Sequence, residues 1–247
     1  MDLYGLIGYP LGHSFSSNFF TDKFASENID AAYWNFEIPS IDELSEVIAS
    51  HPNLRGLNVT IPYKQKIIPY LDEISKEARE IGAVNVVKVV HEGGRTRLIG
   101  YNSDVIGFHD SILPLLKPYH KKALILGTGG ASKAINYVLS KRLKLETVFV
   151  SRYERPDTVT YADIDASAVH EYPVIVNCTP LGMFPHTNEC PKLPYEHMDD
   201  HNLLVDLIYN PDQTLFMKNG AEHGAVVKNG LEMLILQAFA SWDYWNN

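Results

Sequence analysis

The sequence predicts an α/β fold in two parts, each with a mainly parallel sheet, and three observations point there. Short β-branched and apolar runs alternate with helix-like runs along the whole chain, the pattern of strands joined by helical crossovers. A glycine-rich turn, GTGGAS at 127–132, stands between a fully apolar run and a helical one. The polar segments fall where strand-like runs end, which is where open α/β sheets bind ligands. The architecture expected is an N-terminal α/β domain followed by a Rossmann-like domain, with a cleft between them.

The elements follow in order. Residues 3–7 read as the first strand, 17–27 as a helix, 32–37 as a second strand, 41–50 as a helix and 54–59 as a strand. Pro62 suits a first helical turn, so another helix is expected to start there. Residues 83–90 pair with 96–100 across Glu92, Gly93 and Gly94, a hairpin that gives this part an antiparallel edge. Residues 105–116 form a helix leading out. A strand at 123–126, the glycine turn and a helix through Leu139 then open the second domain, which runs to about 227. The stretch from Arg152 to Asn177 shows only Pro156, Asp157 and a strand-like run at 158–161. A parallel crossover generally needs about a dozen residues, so one crossover helix is expected to be missing or reduced to a turn. The last helix, from Leu231 to about Trp242, carries Leu231, Leu234, Ile235, Ala238 and Phe239 on one face and suits either domain. The boundaries expected are 1–104 together with 229–247, and 105–228.

Composition excludes several classes. The net charge of 21 − 30 = −9 repels polyanions, so nucleic acid is not an expected partner. Cys178 and Cys190 lack metal-ligand spacing and read as reduced thiols. The ten histidines are scattered, so no metal is expected. Folded-looking sequence begins at Leu3, and no apolar run approaches the ~20 residues of a membrane helix. A soluble cytoplasmic protein, a monomer or homodimer, is expected.

Chemistry enters through the turns. The amides of Gly127, Thr128, Gly129, Gly130 and Ala131 suit a dinucleotide pyrophosphate at a helix N-terminus, although Ser132 stands at the last small position of the usual fingerprint. After the next strand comes Ser151, then Arg152, with no acid to favour a ribose 2′-hydroxyl. A guanidinium there suits a 2′-phosphate; the alternative is a solvated surface arginine, with Glu154 competing for it. In the first domain, Ser14 and Ser16 lie on one face if extended and suit a carboxylate, or else they cap the following helix. Lys64 falls in the turn after Pro62, where a helix dipole opposes an ammonium, or it is a surface lysine. Asn85 ends GAVN at the start of a strand, and Asp104 is a natural N-cap. No Cys/His or Ser/His/Asp set is apparent, so covalent catalysis is not suggested.

Taken together, the segments HSFS (13–16), NVTIPYK (58–64), GAVN (82–85), GYNSDVIG (100–107), GTGGAS (127–132), VNCTPLGM (176–183), DLIYNPDQT (206–214) and NGLEMLILQ (229–237) resemble the shikimate dehydrogenase family in content and order, over nearly the whole chain. The resemblance implies a reversible reduction of 3-dehydroshikimate to shikimate by NADPH, in the route to aromatic amino acids. It implies that Ser14 and Ser16 hold the substrate carboxylate, that Thr60, Asn85, Asp104 and Gln237 bond the ring hydroxyls, and that Tyr209 faces the substrate. Lys64 and Asp104 become the catalytic pair. Gly127 to Ala131 and Arg152 hold the pyrophosphate and 2′-phosphate of NADP, while Asn177, Thr179, Leu207 and Gly230 border its ribose and nicotinamide. The final helix is implied to return to the cleft with Gln237. Ser17, Phe19 and Phe20 stand where the family has Pro and a His-Asn pair, Val86 stands where Thr is usual, and Ser151, Arg152 and Tyr153 replace Asn-Arg-Thr. Two alternatives stay open: a quinate/shikimate dehydrogenase using both NAD and NADP, and a non-catalytic dinucleotide sensor, which would have no need of Lys64 and Asp104.

Overall fold

Alternate residues of a strand point to opposite faces, and the N-terminal part is organised by that sorting in its first strand. In the computed structural model, which describes residues 1–12 and 15–247, strand β1 (Asp2–Gly8) sends Leu3 and Ile7 into one apolar cluster and Tyr4 and Leu6 into another. It pairs in parallel with β2 (Ala31–Glu37) and β3 (Leu54–Val59). Helix α1 (Phe15–Ser26) brings Phe20 and Phe24 to the Tyr4 cluster, and α2 (Leu44–Ser50) brings Leu44 and Val47 to the Leu3 cluster. The sheet is thus covered on both faces.

Two expectations for this part need correcting. Strands β5 (Val86–Glu92) and β6 (Arg95–Tyr101) form the hairpin, but it is not the sheet's edge. The two-residue β4 (Glu73–Ile74) lies beyond β6 and parallel to it, giving the order β2-β1-β3-β5-β6-β4. Helix α3 (Lys76–Ile81) follows, capped by the Ser75 hydroxyl, which accepts from the Ala78 amide at 3.1 Å. Second, no helix starts at Pro62. The Ile61–Pro62 peptide is cis, and the chain runs on as turns to Ile67. The Lys64 carbonyl accepts from the Val84 amide at 2.7 Å, so it is committed to a tertiary partner instead of a helical one. The dipole argument for Lys64 lapses with the helix.

The second part is a fully parallel sheet. Helix α4 (Asp104–Ile112) leads into β7 (Lys122–Leu126), α5 (Gly130–Tyr137), β8 (Glu146–Ser151), β9 (Thr158–Thr160), α6 (Ala166–Glu171), β10 (Val174–Asn177), β11 (Leu203–Asp206), α7 (Leu215–Glu222) and β12 (Val226–Lys228). The strand order β12-β11-β10-β7-β8-β9 is that of a doubly wound dinucleotide-binding sheet. Only residues 152–157 join β8 to β9, with no helix. Thr158 pairs with Phe149, so the chain retreats just two residues, about 7 Å, before the short β9 begins. That small retreat is why a crossover helix can be omitted. The stretch beyond is not helix-free as expected, because α6 forms there with the Asp165 carboxylate accepting from the Ala168 amide at 2.9 Å.

Helix α8 (Leu231–Asn246) is divided between the parts. One compact unit is Met1–Ser103 with Gln237–Asn247, and the other is Asp104–Leu236. In the first unit Trp245 packs on Tyr4 and Phe20, with ring centroids 4.9 and 5.2 Å away, and donates to the Val87 carbonyl at 3.1 Å. A Cβ on Gly56 would come within 2.3 Å of this indole, so the approach of β3 requires glycine. No helix among the described residues is long and apolar enough to cross a membrane. Trp245→Ala should cost about 3–5 kcal/mol, the usual loss for a buried large-to-alanine change. Gly56→Ala should destabilise through the same contact, and urea unfolding of both variants checks this.

Candidate active site

In the first unit the polar residues converge on Asn85, which stands just before β5 and is 4% exposed. Its amide donates to the Tyr101 carbonyl at 3.1 Å, and its carbonyl accepts from the Val59 amide at 2.8 Å, so the backbone is tied to both neighbouring strands. The side-chain Oδ1 accepts from the Ser103 amide at 2.7 Å, while Nδ2 donates to Ser103 Oγ at 3.1 Å and to Gln237 Oε1 at 3.4 Å. Gln237 is half-buried on α8. Thr60 follows β3 and donates its amide to the Ile7 carbonyl at 3.0 Å; Lys64 is half-buried in the turns beyond. Ser16 lies inside the first turn of α1, not at its N-cap, and its side chain hydrogen-bonds the Tyr33 phenol. Burial holds that phenol well above its ordinary pKa. Ser14 lies outside the described residues.

In the second unit the strand register does the gathering. Asn177 pairs with Leu126 on one side and Asp206 on the other, so β7, β10 and β11 end level. Gly127 turns out of β7 at φ +104, and a Cβ there would stand 3.2 Å from the Thr179 methyl. Gly129 is the N-cap of α5 and no side chain caps the helix. A Cβ at Gly129 would meet no atom within 4 Å. The amides that follow, of Gly130 and Ala131, begin a helix open to an anion, which fits a pyrophosphate. Arg152 is exposed just after β8, its guanidinium 5.8 Å from the Tyr153 ring centroid. Burial pushes Tyr161 up to about 12, with the charge of Arg152 pulling it back. Arg155, which sequence reasoning passed over, donates to Thr128 Oγ1 at 3.2 Å and so brings a guanidinium to the glycine turn.

Asp206 was also missed, and it organises the other end of this row. It is fully buried and accepts from Asn177 Nδ2 at 3.1 Å, the Ile208 amide at 3.0 Å and the Thr214 hydroxyl at 2.6 Å. Asn177 Oδ1 in turn accepts from the amide and hydroxyl of Thr179 at 3.0 and 2.7 Å. The Leu207 amide donates to the Asn177 carbonyl at 3.1 Å, and a Cβ on Gly230 would lie 2.2 Å from the Leu207 oxygen. Tyr209 follows, 37% exposed. The signal for Asp206 was an acid closing an apolar strand. Asp104, 2% exposed, is the first residue of α4 and not its N-cap. One group of potential metal ligands assembles among the described residues, Asp199, Asp200 and His201, all at the surface.

Known proteins resemble this chain in sequence and in fold. The family model described as the shikimate dehydrogenase substrate binding domain matches residues 6–87. A shikimate dehydrogenase (NADP(+)) of Methanococcus maripaludis is 35% identical over 98% of this chain and 91% of its own. A crystal structure of a shikimate dehydrogenase in complex with NADP+ superposes with a TM-score of 0.86 at 31% identity, covering 99% of this chain and 89% of that one. The enzyme from Thermus thermophilus, in complex with NADP(H) and shikimate, does so with a TM-score of 0.85 at 28% identity, over 99% and 93%.

Burial lifts the Asp206 carboxyl from its ordinary 3.8 to about 6, against the pull of its three donors. Between those values the folded protein holds a proton that the unfolded chain releases, so stability falls as pH rises through that window. At neutral pH the charge costs roughly 3 kcal/mol. The expected outcome for Asp206→Asn is that this fall disappears. Urea unfolding of both proteins at pH 4, 5 and 7 checks it, through the difference between their pH profiles.

Proposed function

The chain belongs to the shikimate dehydrogenase family, and we propose from that premise that it interconverts 3-dehydroshikimate and shikimate with NADPH and NADP in the cytoplasm. The observation that carries the reading is the pinned amide of Asn85 beside Gln237 in a unit that matches the family's substrate-binding domain. A ring bearing several hydroxyls is recognised by donors and acceptors that cannot swing, because each wrongly presented group leaves a buried polar atom unpaired.

NADPH supplies the hydride when bound. The first unit takes the substrate: Ser14 and Ser16 bond its carboxylate, and Thr60, Asn85 and Gln237 its ring hydroxyls, with Tyr209 facing it. Lys64 and Asp104 manage the proton, Lys64 giving one to the carbonyl oxygen as that carbon is reduced and taking it back in reverse, and Asp104 bonding the same hydroxyl. The second unit takes the nucleotide. Gly127, Thr128, Gly129, Gly130 and Ala131 offer backbone to the pyrophosphate, Arg152 pairs with the 2′-phosphate, and Asn177, Thr179, Leu207 and Gly230 border the ribose and nicotinamide. The level strand ends and the uncapped start of α5 support that assignment. An exposed Arg152 just beyond β8, whose end carries Ser151 in place of an acid, supports NADP over NAD.

The direct test is turnover of shikimate and of quinate with NADP and with NAD. Shikimate with NADP should be the best pair, and no turnover of either ring acid would leave the sensor alternative. Lys64→Ala should lower kcat by roughly 10²–10⁴-fold, the usual worth of a positioned acid or base. Adding Asp104→Asn should then cost less than the two single losses multiplied. A near-normal kcat in Lys64→Ala would remove Lys64 from the chemistry. Arg152→Ala should weaken NADP about tenfold to a hundredfold, the worth of one charge-assisted contact, with NAD little changed. Equal losses for both cofactors would show that Arg152 does not meet the phosphate.

A further inference from the structure

Among the described residues the Arg152 guanidinium takes part in no ion pair and no hydrogen bond, and Glu154, the acid that could compete for it, is not paired with it. What it meets is the ring of Tyr153, whose centroid lies 5.8 Å away. The ring's place is set by the sheet. Ser151 ends β8, pairs with Thr160 of β9 and is 6% exposed. Its Oγ accepts from the Tyr153 amide at 3.3 Å, so the chain turns at once and Tyr153 leaves from a fixed point. The Tyr153 side chain is 67% exposed, so it is not there to fill a core. A cation over an aromatic face is held by the ring's quadrupole, and a guanidinium can lie on such a face with its N–H groups directed outward in its own plane. An acid partner would spend two of those donors and cancel the charge. A ring does neither.

We propose that Tyr153 is a positioning residue of the nucleotide site and a determinant of cofactor choice: its ring steadies the Arg152 guanidinium beyond β8 with charge and donors unspent, so that the 2′-phosphate of NADP meets an arm already ordered. An unsupported arginine surrenders much of its side-chain freedom when it grips a ligand, and that loss is subtracted from the affinity. NAD offers the guanidinium no phosphate at that place, so the gain goes to NADP alone. Threonine, usual here in the family, has no ring to offer, so the device belongs to this chain. The inference rests on the functional reading above, in which Arg152 meets the 2′-phosphate; the pairing of guanidinium and ring does not.

Calorimetric titration of the whole protein with NADP and with NAD is the first arm of the test, and the exposure of Tyr153 means that none of its variants opens a core. Tyr153→Leu should weaken NADP roughly two- to fivefold, the worth of one exposed cation–π contact, and leave NAD unchanged. Tyr153→Phe keeps the ring and should bind both cofactors as the wild type does. In an Arg152→Ala background Tyr153→Leu should cost nothing further, because the ring acts only through the guanidinium. An equal loss of NAD and NADP in Tyr153→Leu overturns the proposal, since the ring would then touch the nucleotide itself. A loss in Tyr153→Phe matching that in Tyr153→Leu overturns it too, by making the hydroxyl the active group, and so does a loss that persists undiminished without Arg152. The second arm needs no nucleotide. The Arg152 δ-methylene signals in a ¹³C–¹H spectrum, identified by their absence in Arg152→Ala, should be displaced by the ring current in the wild type and in Tyr153→Phe, and should relax in Tyr153→Leu. Signals unmoved by Tyr153→Leu overturn the pairing. Equal losses of NADP and NAD in Arg152→Ala would instead overturn the functional reading of Arg152, and the cofactor half of the proposal with it, leaving the spectrum to judge the pairing.

Discussion

A buried amide keeps one orientation only when its partners cannot reverse theirs, and the first unit is arranged around that condition at Asn85. The residue ends a short irregular run, where backbone groups would otherwise lack partners. Its backbone closes on β3 and β6, and its side chain is caught by Ser103 where β6 gives way to α4. Three strands and a helix start are thus registered by one residue. The second unit meets the same need with a charge. Asp206 holds the turns after β10 and β11 and the start of α7 through three donors, and its burial makes that hold pH-sensitive. The amide is cheap to bury and needs its orientation set by neighbours. The carboxylate costs more but accepts from any side.

The long periodic elements were legible in the sequence. The apolar run at Leu3, Tyr4, Leu6 and Ile7, the apolar run before Gly127 and the double glycine at 93 and 94 each carry a local physical cause, and each produced the element it implied. What was not legible depends on tertiary partners. β4 has two residues, too few for any alternation to register. The turn around Lys64 looked helical because Pro62 suits a first turn, while the Val84 amide that claims the Lys64 carbonyl is far along the chain. Helix α6 was hidden by its length, although Asp165 supplied a cap.

The candidate site shows the same division. Residues inside motifs, such as Asn85, Thr179 and Arg152, could be singled out because their types suit a chemistry. Ser241 and Arg155 could not. A serine in an apolar helix reads as filler until its three oxygen and nitrogen neighbours are seen, and an exposed arginine reads as solvated until it reaches Thr128. Residues that act on a ligand leave a chemical signature in sequence, whereas residues that act on other residues leave a geometric one.

The split of α8 at Gln237 has a consequence for how the protein is made. Domains generally fold as units during synthesis, the N-terminal one first. Here the sheet of the first unit lacks Trp245 over Gly56, and Ser241 beside Asn58, until the whole second unit and α8 have been made. The contiguous stretch Asp104–Leu236 needs no such late piece for its own sheet. Of the two units, the one begun earlier is thus finished later, and it waits with its aromatic cluster open to the surroundings while its successor closes.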